Sequence, residues 1–498
     1  MLLTILALLP LVGGLVVWFL RGSTARYVAI AVALATLVFS LVVAAQYLAH
    51  VDLSEHLLWI KAFGAYYALG LDGMGLLMVV LTTILVPVVL LAEPEGAEGR
   101  WGANVKVALI LILESLSLYV FLASDVLLFY LFFEATLIPM YFLIAGWGGA
   151  KRAKAAVKFL LFSLAGGLVM LFSVIGVGVS YAQQGAPSYL IEDLAKLNVT
   201  PGVEMLLFVG FFVAFAVKAP MVPVHTWLPD TAEQATPGTS TLLVGILDKI
   251  GTFGMIRFCL GLFPEASRLA TPVIVVLAIV SILYGAIAAI GQKNLLRLVA
   301  FTSVSHFGFM VLGIFALTTQ SISGSIFYML NHGFSTAALF LVIGYLAKRR
   351  GSVQITDFGG VFQVAPVLAG ITLLGGLASL SLPGMGSFVG EFLVLAGTWS
   401  RYPVVAAVAC LGMVLAALYI LIMYQRVFTG PVTEATREHF TGDATWLERI
   451  AVAPVIVLLL LVGFFPKPVL DLADQTAKAT MTTMNISDPA PAAGKEGR

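Results

Sequence analysis

The chain has 498 residues, of which 60% are hydrophobic and only 11% charged. A soluble protein of this length needs far more charge to cover its surface, so a water-soluble globule is excluded. The net charge of +1 points to neither nucleic acid nor an acidic substrate, and two cysteines without a CxxC spacing, Cys259 and Cys410, argue against a disulfide frame, an iron–sulfur cluster or a zinc site.

Apolar runs of about 20 residues recur along the chain, the signature of a polytopic membrane protein. The first, MLLTILALLPLVGGLVVWFLRG, has no basic leader region and is long enough to span, so it reads as a first helix rather than a cleaved signal. Hydropathy predicts an all-α integral membrane fold with about fourteen spans. They lie near 2–20, 27–48, 73–92, 104–122, 125–145, 156–180, 204–222, 240–260, 271–290, 296–317, 322–347, 364–381, 403–425 and 450–465. Two extra half-helices are expected after the seventh and twelfth spans. Longer polar connections fall at 182–202 and 429–448, and the polar stretch from about 475 to 498 is expected to be disordered. No Rossmann glycine fingerprint, P-loop or haem motif occurs, so this chain is expected to bind no redox cofactor or nucleotide.

Basic residues set an orientation. Loops that follow odd-numbered spans hold Arg21, Arg26, Arg100, Lys106, Lys151, Arg152, Lys154, Lys158, Lys293, Arg297, Lys348, Arg349, Arg350, Arg426, Arg437 and Arg449, sixteen in all. The other loops hold five: Lys61, Lys196, Arg257, Arg268 and Arg401. By the positive-inside rule both termini then lie outside, on the periplasmic side in a bacterial host.

Spans four to eight and nine to thirteen form two blocks of five. An odd number of spans makes the second copy start from the opposite face, so the copies are expected to be inverted repeats. The division is then helices one to three over 1–103, first repeat over 104–260, second repeat over 271–428, loop and last helix over 429–470, and a polar tail over 471–498. The fourth helix of each block is interrupted, by Pro220, Pro223 and Pro229 in AFAVKAPMVPVHTWLP and by Pro383, Gly384, Gly386 and Gly390 in SLSLPGMGSFVGEF. Proline removes a backbone donor and clashes with the preceding turn. Such a break survives in a bilayer only where protein or water satisfies the freed groups. Lys218 and Glu391 flank the two breaks, and paired broken helices are the best pointer to a mid-membrane site.

Six ionisable residues sit within otherwise apolar stretches: Glu134, Lys218, Lys249, His306, His332 and Glu391. Each costs about 2.5–3.5 kcal/mol at mid-bilayer on insertion scales, so such residues pair or line a wet path. Burial and a nearby carboxylate act oppositely on a lysine's proton affinity, which lets Lys218 exchange a proton; the plainer reading is snorkelling at a helix end. Glu134 is the candidate counter-ion of Lys218, or else a protonated acid bonded to a neighbouring helix. Lys249 follows Asp248, which is placed to tune it or to face another subunit, or to form a structural ion pair. His306 and His332 suit proton relay, although a lone membrane histidine is often a packing residue. Glu391 follows the second break and reads as the far end of a path, or as a cap. Glu114 and Asp125 are weaker candidates, and His225 in the break loop reads as structural.

At these residues the chain resembles the antiporter-like subunits of respiratory complex I, the proton-pumping NADH:quinone oxidoreductase. The resemblance rests on LLFYLFFEATLIPMYFLIAGWGG, VKAPMVPVHTWLPD, GILDKIGTFGMIRF, LLRLVAFTSVSHFGFM, LPGMGSFVGEFLVL and YQRVFTGP, and covers about 120 to 431. Glutamate at position 391, where other branches and the related Mrp sodium/proton antiporters carry lysine, favours the M-type branch, as does the lack of the L-type's extra spans and lateral helix. The resemblance implies that Glu134 and Lys218 form the coupling pair, Lys249 is the central lysine, His306 and His332 bridge, and Glu391 is the terminal acid. It implies no cofactor in this chain, with NADH, FMN, iron–sulfur clusters and quinone in other subunits. Its implied partners are the lipid bilayer and the other membrane subunits of complex I, neighbouring antiporter-like subunits above all. The chain departs from the family at Ala232 and Gln234, where relatives have histidine and an acid, and at Asp248, where leucine is usual. A cation/proton antiporter driven by an ion gradient, and a membrane scaffold with residual charges, are the two other readings.

Overall fold

The structure is a computed structural model that describes residues 1–93 and 99–489. Two long apolar helices open the chain, α1 (Leu2–Phe19) and α2 (Gly22–Leu48), followed by an antiparallel hairpin of β1 (Glu55–Ile60) and β2 (Ala65–Leu69). Then come α3 (Gly73–Ala92), α4 (Ala103–Leu122), and α5 (Val126–Ala135) running into α6 (Leu137–Gly146). The long α7 (Arg152–Ala182) leads through the single turn α8 (Ile191–Leu194) to α9 (Pro201–Lys218). Beyond the first break lie α10 (Trp227–Gln234), α11 (Pro237–Leu242) and α12 (Lys249–Gly254), with π-helical turns over Leu243–Leu247 and Met255–Leu260. The second half runs α13 (Pro264–Ile290), α14 (Leu295–Phe315), α15 (Thr319–Arg350), the short α16 (Val361–Val364), α17 (Pro366–Ser379), α18 (Gly386–Arg401) and α19 (Pro403–Phe428). The single-turn-scale α20 (Glu434–His439), α21 (Trp446–Phe464) and α22 (Lys467–Thr483) close the described chain.

Twelve helices among the described residues are long and apolar enough to cross a membrane. The chain is thus multi-pass, and two of the fourteen predicted spans fall outside these twelve helices. The stretch at 240–260 is divided by two π-helical turns, and the one at 364–381 contains only α17, with 14 residues. The expected half-helices are α10 and α18, each beginning after one of the two breaks. Ser381 and Gly384 at the second break take positive φ, 59° and 96°, a geometry that ends the helix sharply.

α14 and α15 are buried through their apolar central turns, whereas α2, α19 and α21 present most of their surface outward. This explains why α15 tolerates Ser321, Ser323, Ser325, Asn331, His332, Ser335 and Thr336: its surroundings are protein, and all seven are buried. Glycines let the helices approach closely. A Cβ on Gly166 of α7 would lie 3.2 Å from Ala214 Cα of α9, and one on Gly390 of α18 would lie 2.7 Å from Tyr328 Cβ of α15.

Two elements depart from expectation. The β1–β2 hairpin was not predicted, and it is pinned by Asp125, which accepts the Tyr66 N–H while also capping α5 through Leu127 and Leu128. Asp125, a weaker candidate in the sequence, is fully buried and structural. The stretch from 475 was expected to be disordered; instead α22 continues to Thr483 and packs on α3 and α15. Its buried residues, Ala473, Thr476, Ala477, Thr480 and Met481, recur at helical spacing. Residues 490–498 of the predicted tail lie outside the described residues.

Candidate functional site

The last residue of α9 is Lys218, 1% exposed, with no hydrogen-bond partner for its Nζ among the described residues. Aromatic faces surround the ammonium: the ring centroids of Phe133 and Phe159 lie 5.4 and 5.6 Å away. Glu134 follows Phe133 near the end of α5 and is half-buried, with Oε1 buried and unpartnered. Its carboxylate lies against Gly167 of α7, where a Cβ would come within 1.6 Å of Oε1. The acidic groups whose charges act on Lys218 are Asp248 and Glu134.

The second cluster begins at Lys249, fully buried at the first position of α12. In the preceding π-helical turn the Asp248 N–H bonds the Leu243 carbonyl, five residues back. The Val244 carbonyl is thereby freed to accept a hydrogen bond from Lys249 Nζ at 2.7 Å. The same ammonium donates to His332 Nδ1 at 2.6 Å and lies 5.0 Å from the Phe307 ring centroid. His332 and His306 then meet edge to face, with ring centroids 5.2 Å apart. His306 Nε2 is 3.2 Å from the Tyr419 hydroxyl. The Tyr328 ring is 5.8 Å from that of His306, and its hydroxyl donates to Glu391 Oε1 at 2.7 Å.

Lys249, His332, His306 and Glu391 are each no more than 1% exposed; the Ser379 backbone lies beside His306 and the Ser381 hydroxyl beside Glu391, while His332 Nε2 has no partner among the described residues. Buried polar atoms are almost always hydrogen-bonded, to protein or to ordered water. Chemically the line consists of amines, imidazoles, a phenol and carboxylates, all able to gain and lose protons.

The six predicted residues thus fall into two groups, Glu134 with Lys218 and Lys249 with His332, His306 and Glu391, joined through Asp248. Sequence reasoning missed Tyr328 and Tyr419. Tyr328 was discoverable, because it stands four residues before His332 and so shares its helix face. Glu114 is 1% exposed on α4 with both carboxylate oxygens unpartnered, and no basic residue joins it. His225 packs on Tyr284 and Phe301, in keeping with a structural role. The departure at Gln234 has a structural task, since its Oε1 accepts the Lys151 N–H, and nearby Asp230 pairs with both Lys158 and Arg297 at 2.6 Å. Among the described residues no three His, Cys, Asp or Glu side chains gather as metal ligands would.

Residues 123–417 match the family described as NADH:quinone oxidoreductase/Mrp antiporter, TM. The NADH-quinone oxidoreductase subunit M of Mycobacterium tuberculosis is 47% identical over 529 aligned positions, covering 98% of this chain and 95% of that relative. The subunit M of Pseudomonas aeruginosa is 40% identical and covers 95% of this chain and 96% of its own length. A chain of respiratory complex I from Thermus thermophilus with bound NADH superposes with a TM-score of 0.89 at 31% identity, over 97% of this chain and all of that one. A chain of the Mrp complex from Dietzia shares the fold, with a TM-score of 0.83 at 20% identity over 97% of this chain and 99% of that one. The chain belongs to the NADH:quinone oxidoreductase/Mrp antiporter transmembrane family and stands within it beside the M subunits.

Proposed function

We propose that this chain is the M-type proton-translocating membrane subunit of an NADH:quinone oxidoreductase. It moves protons while NADH oxidation and quinone reduction, with FMN and iron–sulfur clusters, take place in other subunits. The observation that carries the reading is the line of acid–base groups from the half-buried Glu134 to the buried Glu391, assembled from both halves of the chain around the buried central turns of α14 and α15. A scaffold has no use for so many costly groups inside apolar helices.

The mechanism is electrostatic. A signal from a neighbouring antiporter-like subunit moves Glu134 away from Lys218. The half-buried position of Glu134, between the exposed Leu131 and Ile138 (45% and 61%), supports such a contact. Lys218 then holds its proton less tightly, because a buried ammonium without its counter-charge is strongly disfavoured. The proton passes toward Lys249, crosses the His332–His306–Tyr328 region and leaves by way of Glu391. Entry is from the cytoplasmic side of a bacterial plasma membrane and both termini are periplasmic, supported by sixteen basic residues against five in the loops. The inverted repeats over 104–260 and 271–428 are part of the same reading. Two breaks, each flanked by one charge and followed by a short helix, support them.

Lys249→Met in the assembled complex tests it. NADH oxidation by a water-soluble acceptor stays at the wild-type level, and NADH-driven proton uptake by inverted vesicles is lost. Wild-type uptake in that variant contradicts the proposal.

A further inference from the structure

Asp248 is fully buried, and neither of its carboxylate oxygens has a hydrogen-bond partner among the described residues. A buried carboxylate is normally held by backbone donors or by a close ion pair, as Asp125 is held by three N–H groups. Asp248 has neither tie, yet it stands between two lysines. Lys249 is the next residue, but its ammonium is turned to Val244 and His332 and leaves the acid unbonded. Lys218 is brought near by helix packing: a Cβ on Gly251 of α12 would lie 2.6 Å from both Ala219 N and Phe215 O, so the end of α9 rests directly on the turn that carries Asp248. The charges that act on Asp248 are those of Lys249 and Lys218. The π-helical turn over Leu243–Leu247 ends at Asp248, and the extra residue in that turn sets the direction of the acid.

We infer that Asp248 carries the proton between the two lysines, taking it from Lys218 and passing it to Lys249. The inference rests on the reading that protons run along this line. In the first step an N–H bond of the Lys218 ammonium breaks and an O–H bond forms on Asp248, leaving a neutral amine and a neutral acid. In the second the Asp248 O–H breaks and an N–H forms on neutral Lys249, leaving a carboxylate and an ammonium. The sum moves one proton and one positive charge from Lys218 to Lys249, with no oxidant or reductant. Travelling as a neutral carboxylic acid, the proton avoids a bare charge in an apolar interior.

The test uses inverted membrane vesicles holding the assembled complex with Asp248→Asn, Asp248→Glu or Lys249→Met. Asp248→Asn is expected to lower NADH-driven proton uptake about fivefold or more at normal complex content, and Asp248→Glu to restore most of it. NADH-induced infrared difference spectra are expected to hold a carbonyl-stretch band of a protonated carboxylic acid that shifts in D2O, is absent in Asp248→Asn and is moved in Asp248→Glu. Wild-type uptake in Asp248→Asn overturns the assignment. So does lost uptake with an unchanged band, which makes Asp248 a fixed charge rather than a carrier. If Lys249→Met is blocked while Asp248→Asn pumps, only the role of Asp248 fails; if both pump, the proton line itself fails. Should Asp248→Asn not assemble, Asp248→Glu decides, because an unmoved band in it overturns the assignment.

Discussion

Glu391 Oε1 is held by the Tyr328 hydroxyl, and Tyr328 also lies between the two histidines and the acid. Tyr328→Phe keeps the packing and deletes one hydrogen bond to a carboxylate, a contribution of about 1.5–3 kcal/mol. The expected result is a roughly tenfold fall in NADH-driven proton uptake with unchanged complex content, read by vesicle acidification. At the other end of the line, Gly167→Ala puts a methyl group where Glu134 Oε1 lies, and the carboxylate must move. Uptake should fall several-fold although no charge has changed, and Gly166→Ala, which meets Ala214 and Val217 instead, separates this from general loosening of α7 against α9. The charged residues of the line were legible in the sequence because a charge in an apolar run is costly and conspicuous. Tyr328 and Tyr419 were not, because an aromatic residue in such a run is ordinary core. The approach of Lys218 toward Asp248 depends on α12 meeting the end of α9, which no local pattern encodes.

At the scale of elements, prolines and glycines announced both broken helices, and α10 and α18 lie where those residues put them. The hairpin was illegible because its anchor, Asp125, comes from a distant segment. α22 was illegible because a polar composition hid a stripe of small buried residues. The ends of the spans are tied by charges that hydropathy ignores. Arg349 at the end of α15 makes two bonds to Glu448 in the first turn of α21, at 3.1 and 2.7 Å, and the pair is 13% and 8% exposed. Arg349→Met leaves that carboxylate without its cation, and is expected to cost about 3–5 kcal/mol, seen as a lower Tm of the purified complex in detergent. Asp443 caps α17 from a different part of the chain by accepting the Val367 and Leu368 N–H groups at 2.8 and 3.0 Å. Desolvation works against its ionisation, but those donors, with Ala444, hold its carboxyl below the usual carboxylate range. A depressed folded value means that the stabilisation is complete above the unfolded-state value of about 3.9 and is lost as pH falls through the folded one. Asp443→Asn should therefore lower Tm at pH 7 and flatten its decline in acid, measured by thermal melts across that range.

For the molecule as a whole, α14 and α15 form a protein-enclosed pair about which both broken helices converge, and lipid-facing helices surround them. The sequence made the membrane class and the six charges plain, but not that they form a line, because the line is assembled from α5, α9, α12, α14, α15 and α18. That assembly is the central claim, and its first link is Lys218. The most direct test is the ratio of protons taken up to NADH oxidised in inverted vesicles carrying Lys218→Met, with the content of assembled complex held equal. A reduced ratio while NADH is still oxidised is the predicted result. An unchanged ratio would contradict the account, because protons would then cross the membrane without the first lysine of the line.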